Sequence, residues 1–178
     1  MPSLERPAAD EYAAGFEGYV ARVAETDVLA ALERQGEEVC AFLTALPTDR
    51  AAYRYAPDKW TVQQVAAHVI DTERVLAYRA LCAARGETVD LPAFDENAYM
   101  EAMGEDPATL AVLGEEFALV RRANLLLFRR LDAAAWTRRG KARGFALTPR
   151  GMAYVLVGHV RHHLAVLSGR YGLAGAPA

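Results

Sequence analysis

The chain has 178 residues, 53% of them hydrophobic and 24% charged, enough for one domain with a buried core and unlike a disordered or low-complexity chain. Its 20 Lys and Arg against 23 Asp and Glu leave a net charge of −3, which provides no broad basic surface for nucleic acid. Cys40 and Cys82 form neither a CxxC pair nor a disulfide framework, no stretch approaches the roughly 18 apolar residues of a membrane span, and the opening MPSLERPAADEY has no basic start followed by an apolar run. The expectation is a reduced, cytoplasmic protein with no nucleic-acid or membrane partner.

Residues 1–27 read as an N-terminal extension in which Tyr12, Phe16, Tyr19 and Val23, at helical steps, predict a short extra helix. Over 28–171 a four-helix bundle is expected, with a flexible tail over 172–178. Val28, Leu32, Val39, Leu43 and Leu46 recur at three-, four- and seven-residue steps and define the first long helix, which Pro47 ends. An aromatic, proline-punctuated connection follows. Thr61 with Gln64 three residues on is a capping box, and Val62, Val65, Val69, Thr72 and Leu76 carry the second helix towards Ala84 and Gly86.

The segment 87–104 lacks a sustained period and predicts a long loop, as a lid or substrate wall, or a short helix across the bundle end. Asp106 before Pro107 predicts the N-cap of a third helix carrying Leu110, Leu113, Phe117, Val120, Leu127 and Leu131 and ending near Asp132. After the basic, glycine-broken stretch WTRRGKARGF, Thr148 before Pro149 opens a fourth helix, with Met152, Val155, Leu156, His159, His163 and Leu167 on one broad face up to Gly169. No alternating strand pattern and no repeat is found, so the fold class is all-α.

Chemistry concentrates in the histidines. The chain has four, and His159, His162 and His163 fall within five residues. His159 and His163, four apart, lie about 40° apart in azimuth and about 6 Å apart along a helix, so both rings can reach one point. His68, in the second helix, can supply a third neutral ligand and so complete an open three-histidine site for a divalent ion; otherwise the three are ordinary helix-face histidines. His162 points off this seam and suits a supporting or surface place. His159 is followed by Val160, which excludes an H-E-x-x-H zinc site, and no Glu stands three residues before any of the three, which excludes a carboxylate di-iron bundle. Asp71, Thr72, Glu73 and Arg79 follow His68; Asp71 and Glu73 are candidate catalytic residues, as a general base or as a carboxylate supporting a ligand, and Asp95, Glu96 and Asn97 in the long loop are further catalytic candidates. Trp60, Trp136, Tyr53, Tyr55 and Tyr99 read as packing aromatics.

The stretches YRYAPDKWTVQQVAAHVIDTERVLAYRALCAARGETVDLPAFDENAY, FALVRRANLLLFRRLDAAAWTRRG and GHVRHHLAVLSGRY resemble the DinB/YfiT-like superfamily, in the order KW before a helix, H-x-x-D-T-E-R, LPAFDEN and G-H-x-x-H-H-L. The resemblance covers about Tyr19 to Tyr171. It implies a four-helix bundle with a divalent metal, zinc, nickel or similar, on His68, His159 and His163. It also implies a homodimer and a small-molecule substrate, with a low-molecular-weight-thiol S-transferase as the activity. A metal-dependent hydrolase using activated water and a non-catalytic metal-binding stress protein stand as alternatives.

Overall fold

The structure, a computed structural model, describes residues 4–177. Two 3₁₀ turns, Ala9–Glu11 and Ala14–Phe16, lead into a one-turn helix α1 (Glu17–Val20). Four long helices follow: α2 (Val28–Ala45), α3 (Val62–Ala84), α5 (Leu110–Phe128) and α7 (Pro149–Gly169). Each starts at a side-chain cap, because the first backbone N–H groups of a helix have no partner within it. Asp27 accepts from the Ala30 N–H, Thr109 from Val112 and Thr148 from Gly151, and Thr61 with Gln64 forms the expected capping box.

Around the bundle, α2 packs on α5, α5 on α3, α3 on α7 and α7 on α2. Helices consecutive in the chain therefore stand diagonally in two of the three steps, α2 to α3 and α5 to α7. One core cluster includes Leu32, Leu76, Phe128 and Met152, and a second includes Leu43, Val65, Phe117 and Leu164. The N-terminal segment crosses α7 where that helix has no side chain: a Cβ on Gly158 would sit 1.9 Å from the Tyr19 carbonyl oxygen, and one on Gly151 2.2 Å from that of Glu11. Val20 and Val23 thereby join the core, and at the other end of the chain Leu173 is buried too.

Three expectations are corrected. The third long helix starts at Leu110, because the Gln63 amide takes the carbonyls of Asp106 and Ala108 at 2.9 and 2.6 Å and holds that stretch out of a helical ladder. It ends at Phe128, and Asp132 instead caps the short helix α6 (Ala133–Thr137), accepting from the Ala135 N–H. A small sheet is present: β1 (Asp90–Leu91) lies parallel to β2 (Gly140–Ala142), which pairs antiparallel with β3 (Phe145–Leu147). Strands of two and three residues are too short for an alternating pattern to register. The segment 87–104 holds β1 and an eight-residue helix, α4 (Glu96–Met103), capped by Asp95, so it follows the short-helix alternative.

The sheet joins the C-terminal end of α3 to the N-terminal end of α7, with Gly140 against Ala83 and β3 leading into Thr148. The two helices run antiparallel with a seam between them.

Candidate metal centre

His68 stands on α3, and His159 and His163 stand one turn apart on α7, facing each other across this seam. Nε2 of His159 lies 3.1 Å from Nε2 of His68 and 3.1 Å from Nε2 of His163, and the ligating atoms of the three lie within 4.8 Å of one another. Hydrogen bonding does not account for this. A neutral imidazole nitrogen carries either one hydrogen or one lone pair in the ring plane, so His159 Nε2 can satisfy one of the two contacts and not both. Two ligands on a tetrahedral ion with bonds of about 2.0–2.1 Å stand about 3.3–3.4 Å apart, close to the two spacings at His159, and the third pair lies within 4.8 Å, so the donor types and their convergence suit a first-row divalent ion.

Burial keeps the rings neutral and their lone pairs free. It pushes His68 down to about 4, partly offset by the negative charge of Glu96, and His163 down to about 3, with the neighbouring His68 and His162 adding to the effect. His159, 5% exposed, is driven well below the usual histidine value by the same desolvation. Trp60 packs on the His68 ring at 4.8 Å, and Tyr19 meets His159 edge-on at 5.3 Å. Nδ1 of His68 and Oγ1 of Thr72, one turn on, are buried with no protein partner among the described residues.

The three histidines open on a cavity of about 470 Å³. Thr72, Leu76 and Arg79 of α3, Met152 and Val155 of α7, Phe94 and Glu96 from the 87–104 segment, Phe16 and Tyr19 from the N-terminal segment, and Arg143 and Phe145 of the hairpin line it. The 87–104 segment thus forms a wall of the cavity as well as a helix. His162 also borders the cavity, beside Tyr19 at 5.5 Å.

The predicted carboxylates divide. Glu96, exposed at the mouth, is close enough for its charge to add to burial in raising Tyr19 and to offset part of the lowering that burial imposes on His68. Glu73 is 1% exposed inside the bundle, where Arg121 Nε and Nη2 donate to its two oxygens at 2.8 Å and Asn124 donates at 2.9 Å. It does not border the cavity. Asp71 lies on the outer side of α3, 3.8 Å from Arg74, and burial raises its carboxyl. Sequence reasoning did not single out Tyr19, Phe94 or Arg143 for the site, since a lone aromatic or a basic turn gives no signal of cavity lining.

The family model for the DinB superfamily matches residues 31–167, most of the chain and all four long helices or nearly so. The chain belongs to the DinB superfamily. No curated protein matches its sequence. Among solved structures, this DinB-superfamily chain resembles YfiT from Bacillus subtilis, with a TM-score of 0.69 and 20% identity over 85% of this chain and 91% of that one. YfiT is described as a probable metal-dependent hydrolase with an unusual four-helix bundle topology. The likeness establishes the shared four-helix bundle.

Proposed function

We propose that this protein is a metal-dependent enzyme in which His68, His159 and His163 hold a divalent ion and a small molecule occupies the adjoining cavity. The observation that carries this is the pair of 3.1 Å contacts converging on one nitrogen of His159, which a cation relieves and a proton does not. A divalent ion held by three neutral imidazoles keeps its full charge and acidifies a water or thiol brought beside it.

The protein's own groups supply the rest. Trp60 and Tyr19 fix the orientation of His68 and His159 by packing on their rings. Glu96 takes the proton that the nucleophile sheds, and Phe94, Leu76, Met152 and Val155 hold an apolar substrate body and keep water away from it. A cavity of about 470 Å³ is far larger than one water needs and has room for the two small molecules that a low-molecular-weight-thiol S-transferase brings side by side. Hydrolysis with water as nucleophile is the second reading, supported by the carboxylate at the mouth and by the description of YfiT. A non-catalytic metal-binding stress protein has less support, because it needs no cavity beside the ligands. Val112, Leu119 and Leu126, exposed at seven-residue spacing along α5, support the expected homodimer.

Metal content by mass spectrometry, on protein purified without chelator, tests the centre. We expect near-stoichiometric zinc, nickel or a similar ion in the wild type and a loss of at least tenfold in His159→Ala. Metal-free protein that stays empty after reconstitution would overturn the reading. Turnover of an electrophile only when a thiol is added then selects the transferase, and thiol-independent hydrolysis selects the alternative.

A further inference from the structure

Two buried arginines stand in this bundle, and they are treated in opposite ways. Arg121 has its guanidinium on the carboxylate of Glu73 at 2.8 Å. Arg79, only 5% exposed, forms no ion pair among the described residues. Its one protein acceptor is the Pro92 carbonyl, 2.8 Å from Nη2, and its guanidinium lies over the Phe94 ring at 5.9 Å. Its Nε and Nη1 have no acceptor among the described residues, and the residue lines the cavity. A buried cation without a counter-charge is costly to keep, and the cost is recovered when an anion arrives.

A second guanidinium stands beside it. Arg143, at the tip of the β2–β3 hairpin, borders the same cavity and also lacks an ion pair among the described residues; burial first, and then the Arg143 cation, lower Arg79 from its usual value. Arg143 has φ of 56°, a left-handed conformation that suits Gly or Asn, and is followed by Gly144 with φ of 78°. The turn therefore holds an arginine where local conformation disfavours one.

Arg79 is eleven residues beyond His68, roughly 16.5 Å along α3 and only about 20° round it, so the two share one face. Side chains lean towards the N-terminus of their helix, which brings the guanidinium back towards the histidines. Between the two ends the lining is apolar, with Leu76, Met152 and Phe94, while Glu96, the carboxylate of the cavity, acts on the histidine end through His68 and Tyr19.

We infer that the cavity takes a molecule with an oxyanion, a carboxylate or a phosphate, at one end and an apolar body of roughly 10 Å, the oxyanion held by Arg79 and Arg143 and the body reaching the histidines. The pairing of that oxyanion with the arginines stands by itself, and only the identity of the far end as the reacting end rests on the metal-enzyme reading.

Calorimetry on the full chain, stripped of metal by chelator at pH 7.5 and low salt, tests it with three probes of matched shape: 4-phenylbutyrate, its neutral amide, and 3-phenylpropyl phosphate. At least one anion should bind tenfold or more tighter than the amide, and the tighter of the two identifies the oxyanion. Arg79→Gln should abolish the discrimination and leave amide binding within twofold, and Arg79→Lys should retain part of it. Should Arg79→Gln fail to give a cooperative melt, Arg143→Asn decides, since asparagine suits that turn: discrimination must fall at least threefold. Equal binding of the anions and the amide, no binding of any probe, or discrimination unchanged in the folded variants would overturn the inference. Because no metal is present, these outcomes are separate from those of the metal-content experiment.

Discussion

Glu96 shares the cavity with the three imidazoles and stands exposed at its mouth, where the proposed reaction places the base. Glu96→Gln keeps the shape and removes the base. It should leave metal content unchanged and stability within about 0.5 kcal/mol, as for an exposed residue, while lowering kcat by about 10²- to 10⁴-fold. Turnover by the metal-loaded variant checks this, and an unchanged kcat would remove Glu96 from the reaction. The histidines were legible because the chemistry matches the period of the helix, with His159 and His163 one turn apart. Glu73 was named for its nearness to His68 in sequence. Five residues turn a helix by about 500°, so Glu73 faces about 140° away, into the bundle. Arg79, more than twice as far along the chain, returns to within about 20° of the histidine and lines the cavity.

At the level of elements, the buried ion pair ties the bundle together behind the site. Arg121 of α5 holds Glu73 of α3 at 2.8 Å and donates to the Leu32 carbonyl at 3.1 Å and to Gln35 at 3.0 Å on α2, while Gln35 donates to the Val157 carbonyl of α7 at 3.1 Å. All four long helices meet in this network, two residues before His159. Removing one charge leaves the other buried and uncompensated, so Glu73→Gln should cost about 3–5 kcal/mol in urea unfolding, whereas Glu73→Leu combined with Arg121→Met should recover most of that loss. A double variant no more stable than the single would show that the charge pairing itself holds these helices together. The helices were readable from their caps and apolar steps, Thr61 with Gln64 above all. The hairpin was not, because its strands are stabilised by pairing with each other and with β1, contacts that leave no period in three residues. Nor was the start of α5, which Gln63, more than forty residues away in the chain, determines by taking the carbonyls of Asp106 and Ala108.

For the whole molecule, the N-terminal segment closes one side of the cavity with Phe16 and Tyr19 and is held to α7 by two carboxylates. Glu11 accepts from Thr148 at 2.8 Å and from Arg150 at 2.5 Å. Burial pushes its carboxyl up, but Arg150, the Ala8 N–H and Thr148 outweigh this and hold it below the usual value. Glu25 accepts from Arg161 at 2.6 and 2.9 Å and from Arg34 at 2.8 Å, and the Arg161 hydrogen bonds bring its carboxyl down to about 2 from 4.5. A carboxyl lowered in the folded state binds its proton more weakly there than in the unfolded chain, so its contribution is complete above pH 4.5 and is lost as pH falls from 4.5 towards 2. With Glu25 partly exposed, that contribution is about 1 kcal/mol after solvent screening. Glu25→Gln should therefore be less stable than the wild type by about 1 kcal/mol at pH 7, with the difference closing towards zero as the pH approaches 2, in urea unfolding at matched ionic strength. A difference that stays constant with pH would mean that Arg161 and Glu25 meet by packing alone. Tyr19 stands between Glu11 and Glu25 in the chain and meets His159 edge-on at 5.3 Å, so the segment that these carboxylates hold is also the wall against which His159 rests.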